Sequence, residues 1–307
     1  MSISDRYHKK EKMNEQLLTV MIAVITSIST LLISFLFKPL IEKRTHLSKV
    51  EIDHEYEQRK KIKEVLSKYK MHLINSADSL RGRLNNLSYC FVTNQHKVDG
   101  DFHNEDKSYF QSTIYRVLRF YAWMMIVEKK LIYLETTIAS TDDLNFIKYI
   151  KAMKRTLQRD ALVKGIQERK DVSRDMIFRD NLDEMCQWLI KEEDVISFSE
   201  FKINSSQNQA KIEQVCKFID GISPVEDRRR WDRLYCLHLV TISFLNSYGY
   251  DYQVEPEKDI RDLIDRIRKT EIFPNLILHL KRYKLYEDME VRKLGDILKQ
   301  YGSQQKL

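Results

Sequence analysis

The sequence predicts an all-α chain with a single N-terminal transmembrane helix, a long juxtamembrane helix and a helical-bundle soluble domain. Three observations predict it. One uncharged apolar run has the length of a membrane span, helix breakers are scarce, and apolar residues recur at helical intervals along most of the remaining chain. Only 7 Gly and 4 Pro occur among 307 residues. That scarcity disfavours turn-rich sandwiches, barrels and glycine-lined phosphate loops, and makes long helices the default. Apolar residues amount to 43%, enough to build a core.

Charge and cysteine usage narrow the function classes. Lys and Arg number 52 against 45 Asp and Glu, and both signs are interspersed almost everywhere. This is the pattern of solvated helix faces and not of a nucleic-acid arm, so nucleic acid is not an expected partner. Cys90, Cys186, Cys216 and Cys236 form no C-x-x-C pair. Cys186 and Cys236 sit inside apolar helical patterns, which points to buried free thiols and a reducing compartment.

Taken in order, residues 1–16 form an N-terminal tail and residues 17–37 the transmembrane helix, LLTVMIAVITSISTLLISFLF. A helix of that length spans about 30 Å, the thickness of the hydrocarbon layer. A cleaved signal peptide has a shorter apolar region followed by small residues. Here the run ends in Lys38-Pro39, with Glu42, Lys43 and Arg44 beyond, which favours a retained span. The downstream flank carries Lys38, Lys43, Arg44, Lys49, Arg59, Lys60, Lys61 and Lys63 against Arg6, Lys9, Lys10 and Lys12 upstream. This excess favours the inner (cell) membrane with the large domain cytoplasmic, although close to the span the two sides nearly balance. Thr19, Ala23, Ser27, Thr30 and Ser34 recur every three or four residues on one face of the span. Small residues there permit helix–helix association; the alternative is that the hydroxyls bond their own helix backbone.

Residues 38–92 read as a long juxtamembrane helix holding the domain away from the bilayer. Ile62, Leu66, Tyr69, Leu73, Ala77, Leu80, Leu84 and Leu87 form an apolar seam of coiled-coil or bundle type, packing on its own domain or on a second copy. A polar loop, 93–106, contains His96, Asp99, Asp101, His103, Glu105 and Asp106. It lacks the ligand order of a calcium loop and reads as a solvated linker, so neither metal nor cofactor is expected.

Residues 107–307 read as the helical cytoplasmic domain. Lys107 to Ile138 is apolar nearly all round and is the strongest core candidate. Thr141 with Asp142 and Asp143 starts the next helix, and Asn181 to Ile190 is another. Asp194 to Ile203 alternates apolar and polar residues and reads as extended. The polar break at 204–209 is where a domain seam is expected. Ser223-Pro224-Val225-Glu226 reads as a capping box opening a helix through Trp231, Leu234 and His238. Two amphipathic helices follow, near Glu257 to Arg268 and Asn275 to Tyr301.

Chemical motifs are sparse. No G-x-G-x-x-G, Walker loop, G-x-S-x-G elbow or H-E-x-x-H occurs. Arg233 and His238 resemble the R-x4-6-H motif of the HEPN ribonucleases, all-helical proteins in which the pair acts on the scissile phosphate. Leu234 departs from the polar residue usual after that arginine, and a histidine on an apolar helix face is more often core. Glu200-Phe-Lys202 resembles the E-x-K half of a metal-dependent nuclease site, without the α/β core such a site needs. Three basic clusters, Arg59-Lys60-Lys61, Arg228-Arg229-Arg230 and Lys281-Arg282, read as solvated helix surface.

The order of elements resembles poorly characterised bacterial membrane proteins with one N-terminal transmembrane helix and a helical cytoplasmic domain. Tyr109-Phe-Gln-Ser-Thr-Ile-Tyr-Arg116, Tyr121-Ala-Trp123, Ile177-Phe-Arg-Asp180 and Ser197-Phe-Ser-Glu-Phe201 carry that resemblance. It implies a topology and no activity. The expected function is a membrane-anchored, self-associating helical interaction module without catalysis of its own. Its expected partners are the bilayer, a second copy and a cytoplasmic protein. The rival functions are a membrane-perturbing defence effector and a ribonuclease centred on Arg233 and His238.

Overall fold

The computed structural model describes residues 3–102, 106–134, 136–166, 175–207 and 209–304. The chain divides into two compact units, Met1–Gln58 and Arg59–Leu307. Helix α1 (Ile3–Cys90) runs without interruption across Pro39, so the expected span and juxtamembrane helix are one element. In the first unit, Met13–Phe35 is the one stretch among the described residues long and apolar enough to cross a membrane, and none of it is buried.

The second unit is an all-α domain. It claims the part of α1 that starts at Arg59, because the apolar seam is folded into its core: Ile62, Leu66, Tyr69, Leu73, Ala77, Leu80, Leu84 and Leu87 are all buried. This resolves the choice left open by periodicity alone. The seam packs within its own domain. Beside it lies α2 (Ser108–Leu131), whose nearly all-round apolarity is explained by partners on several sides. Trp123 of α2 stacks on His72 of α1 at 4.5 Å, and the Arg116 guanidinium donates to the Ser79 carbonyl at 2.8 Å.

On its remaining sides α2 contacts α4 (Arg179–Leu189), the strand Asp194–Val195, α5 (Phe198–Gln207) and α6 (Gln209–Ile219). A second layer is built around α7 (Arg230–Tyr248), which packs against α3 (Thr141–Thr156) and α10 (Met289–Gln304). Next in the chain, α8 (Glu257–Ile267) buries Ile260, Leu263, Ile264 and Ile267, and α9 (Phe273–Arg282) packs on α10 and on the short turn Asp160–Leu162. The two layers share one continuous hydrophobic core.

Several boundaries differ from expectation, each for an identifiable reason. Asp194 to Ile203 is not an extended segment: a two-residue hairpin, Ile190–Lys191 with Asp194–Val195, gives way to α5 at Phe198. The helix wins because Ser197 and Glu200 form a reciprocal cap, the Ser197 amide donating to Glu200 Oε2 at 2.9 Å and the Glu200 amide to Ser197 Oγ at 3.3 Å. No domain seam falls at 204–209, since the residues on both sides belong to the Arg59–Leu307 unit. Ser223 to Glu226 forms a turn, and α7 starts only at Arg230. There the Glu226 carboxylate is taken by the Arg230 guanidinium at 2.7–2.9 Å. The expected helix from Asn275 to Tyr301 is two helices, split where Lys284 turns left-handed (φ 53°) and Asp288 Oδ1 accepts the amides of Glu290 and Val291 to start α10.

Nor is the polar loop a free linker. Asp220 Oδ1 accepts the Val98 amide at 2.8 Å and its Oδ2 accepts the Gly100 amide at 2.9 Å, while buried His96 bonds the Ile222 carbonyl at 2.7 Å. The left-handed backbone at Gly100 (φ 87°) completes the tight turn that presents these amides to one carboxylate. Arg230 finishes this junction by donating to the carbonyls of Lys217, Phe218 and Asp220 at the end of α6.

Candidate functional site

The residues singled out in the sequence occupy three separate places. On the apolar stretch of α1, Thr19, Ala23, Ser27, Thr30 and Ser34 are exposed. Thr19 donates to the Glu15 carbonyl at 2.8 Å, Ser27 to Ala23 at 2.7 Å and Thr30 to Thr26 at 2.8 Å. These three hydroxyls are thus satisfied within their own helix.

The packing seam offers no surface at all. Its leucines, Ile62 and Tyr69 are core residues of the domain, and the Tyr69 hydroxyl, at the edge, donates to Glu193 Oε2 at 2.7 Å.

Arg233 and His238 lie on the same helix, α7, but five residues apart, about 140° around its axis. They face different neighbours. Arg233 is fully buried and donates Nη1 to the Arg159 carbonyl at 2.5 Å, while its Nε and Nη2 have no hydrogen-bond partner among the described residues. Burial lowers its pKa to about 10, so it stays charged. His238, itself buried, borders a space of only about 10 Å³ with Leu84, Ser88 and Ile267, too small for any substrate. Burial first, and then the charges of Arg81 and Arg266, depress its imidazole to about 3. A neutral, enclosed histidine and an enclosed arginine on different sides of a helix do not make a phosphate-cleaving pair.

The weaker motifs are also absorbed by structure. Glu200 caps α5 and pairs with Lys191 at 3.0 Å, so its carboxylate serves the helix start. Among the described residues, no group of three or more His, Cys, Asp or Glu side chains is placed to hold a metal ion. His103 and Glu105 of the polar loop lie outside the described residues. The cysteines are free, with Cys186, Cys216 and Cys236 buried and their thiols pushed up by burial.

The basic clusters part company. Arg228 pairs with Asp175 at 2.7 Å, Arg229 with Asp232 and Glu271 at 3.1 and 2.7 Å, and Arg230 with Glu226 at 2.7 Å. That triplet is structural. Arg282 is different: it borders an open cavity of about 500 Å³ together with Arg159, Lys164, Asn275, Leu278 and His279. None of its three cations forms an ion pair among the described residues.

Sequence reasoning missed this convergence, because Arg159 and Lys164 stand more than a hundred residues before Arg282. The local signal available was His279 followed by Arg282 at i+3 on an amphipathic helix. His279 is buried, its Nε2 donates to the Ala152 carbonyl at 3.0 Å, and burial with Arg159 and Arg282 nearby lowers its pKa to about 4. Comparison of the chain with protein-family models, with curated proteins and with solved structures finds no match.

Proposed function

We propose that the chain is a membrane-anchored helical interaction module. In this reading the 17–37 segment holds it in the inner (cell) membrane, the large domain is cytoplasmic, and the protein self-associates without catalysis of its own. One observation carries the proposal: the Met13–Phe35 stretch, uncharged from Gln16 onward, has the length and hydropathy of a membrane span and not one of its residues is buried. Monomers in water tolerate exposed apolar patches of only a few hundred Å². Hydrocarbon accepts such a surface, and a helix is the form in which a single segment can cross it.

Self-association, in this reading, rests on the span alone, since the seam from Ile62 to Leu87 is occupied within the domain. The stripe of Thr19, Ala23, Ser27, Thr30 and Ser34 supports close backbone approach. With several hydroxyls already bonded to their own helix, the contact would be one of packing and not of interhelical hydrogen bonds. A cytoplasmic partner would meet surface residues such as Ile132 and Tyr133, large apolar side chains that are 72% and 92% exposed. The enclosed positions of Arg233 and His238 give the ribonuclease reading no support.

The test is the molar mass of the detergent-solubilised full chain by light scattering, for wild type and for Ala23→Leu with Ser27→Leu. The expected result is an oligomeric wild type and a variant shifted to monomer. A monomeric wild type overturns self-association through the span.

A further inference from the structure

We propose that the cavity between the Arg159–Gly165 segment and α9 binds an organic phosphate, its phosphate held by Arg159, Lys164 and Arg282 and its body resting on Leu162 and Leu278. This goes beyond the membrane-anchored module, because the site lies wholly within the Arg59–Leu307 unit and owes nothing to the span.

The charge pattern is the first argument. Several cations on this domain are paired with carboxylates: Lys154 with Glu128 and Asp183, Arg261 with Glu257, Lys293 with Glu290, Lys299 with Asp296. Among the described residues, three cations line this cavity and no acidic residue does. Like charges gathered without a counterion repel, and a bound anion relieves that repulsion. Two guanidinium forks and one ammonium can address several terminal oxygens of a phosphate at once, whereas a single carboxylate would leave part of that charge unanswered.

The second argument is that the walls are fixed. Asn275 Nδ2 donates to the carbonyls of Leu162 and Lys164 at 2.9 and 3.0 Å, tying the segment that carries the cations to α9. The Arg159 carbonyl is held by Arg233 from within the core. The His279 side chain is anchored to Ala152 of α3. Such a site needs little reorganisation to bind.

Size and lining set the class of ligand. A volume of about 500 Å³ is in the range of small-molecule sites, and inorganic phosphate would leave most of it empty. Leu278, 63% exposed at the rim, and buried Leu162 offer apolar contact to a body attached to the phosphate. The space is a confined depression and not a stripe along which a nucleic-acid backbone could run.

An organic phosphate can be a soluble nucleotide or a phospholipid headgroup, and one experiment separates them. Full-length protein in phosphatidylcholine nanodiscs is titrated calorimetrically with ADP, pyrophosphate and inorganic phosphate, and then prepared in discs containing phosphatidic acid. Saturable ADP binding, tighter than inorganic phosphate, is expected in plain discs. It should weaken more than about tenfold in the double variant Lys164→Gln/Arg282→Gln, at unchanged melting temperature, while Lys281→Gln binds like wild type. If ADP binds only when phosphatidic acid is absent, the lipid headgroup competes for the same site and is assigned to it as well. Absence of saturable binding by any of these phosphates overturns the proposal. So does binding that the double variant leaves intact, or that an RNA oligomer matches in both proteins.

Discussion

Replacing Leu73 by alanine asks whether the α1 seam belongs to the domain core. Leu73 is fully buried among the seam residues that pack with the core of the Arg59–Leu307 unit. Leucine-to-alanine changes at such positions cost about 2–5 kcal/mol, the lost transfer energy plus the cavity left behind. At about 2–4 °C per kcal/mol for a domain of this size, a cost near 3 kcal/mol lowers the melting temperature by about 6–12 °C. The control is Ile52→Ala, which removes a side chain that is 65% exposed and should change stability by less than about 0.5 kcal/mol. Near-ultraviolet circular dichroism reads the result, since Trp123 stacks on His72, the residue beside Leu73. An inter-copy coiled coil makes the opposite forecast: a loss of oligomeric mass and a melting temperature that depends on protein concentration. A Leu73→Ala protein that melts like wild type but dissociates would refute the intramolecular packing.

Other perturbations probe the buried polar groups. Arg233→Met removes a charge that is fully buried with two nitrogens unpartnered among the described residues, so urea titration should find stability unchanged or raised by up to about 2 kcal/mol; a loss of stability would mean the arginine is better paired than the geometry shows. Acidification should destabilise the domain. His238 is held near 3 and His279 near 4 in the folded chain, so each contributes fully above the unfolded value of about 6.5 and loses stability as pH falls below it. The His238 share is about 2 kcal/mol by pH 5, and a His238→Leu protein should show a correspondingly flatter pH profile between 6.5 and 5; an unchanged profile contradicts the assignment. Asp220→Ala strips the acceptor from the Val98 and Gly100 amides, so hydrogen exchange should accelerate at those positions while α2 stays protected; equal exchange in both proteins would show that the loop is held otherwise.

How much of this was legible depends on where the deciding interaction lay. The α1 seam and the apolar faces of α2, α3 and α8 were readable because burial follows helical spacing within one segment. Two S-x-x-E sequences show the limit of local rules. Ser197-Phe-Ser-Glu200 caps α5, though its alternating pattern had favoured a strand. Ser223-Pro-Val-Glu226 is only a turn, and its carboxylate, besides accepting the Ser223 amide at 3.4 Å, pairs with Arg230 four residues on. Likewise, the split at Lys284 has no glycine or proline to announce it, and only Asp288 as a helix start hints at the second segment. The anchoring of the 93–106 loop depends on Asp220, and the cation cavity on residues from 159 to 282; such convergence is created by the fold and leaves no periodic trace.

The central claim is that the 17–37 segment is a retained span. The most direct measurement is alkaline carbonate extraction of membranes from expressing cells, with intact mass spectrometry of the protein recovered. The account predicts a full-length chain that stays in the carbonate-resistant membrane pellet. A chain released into the carbonate supernatant, or one shortened by loss of its apolar N-terminal segment, would contradict it.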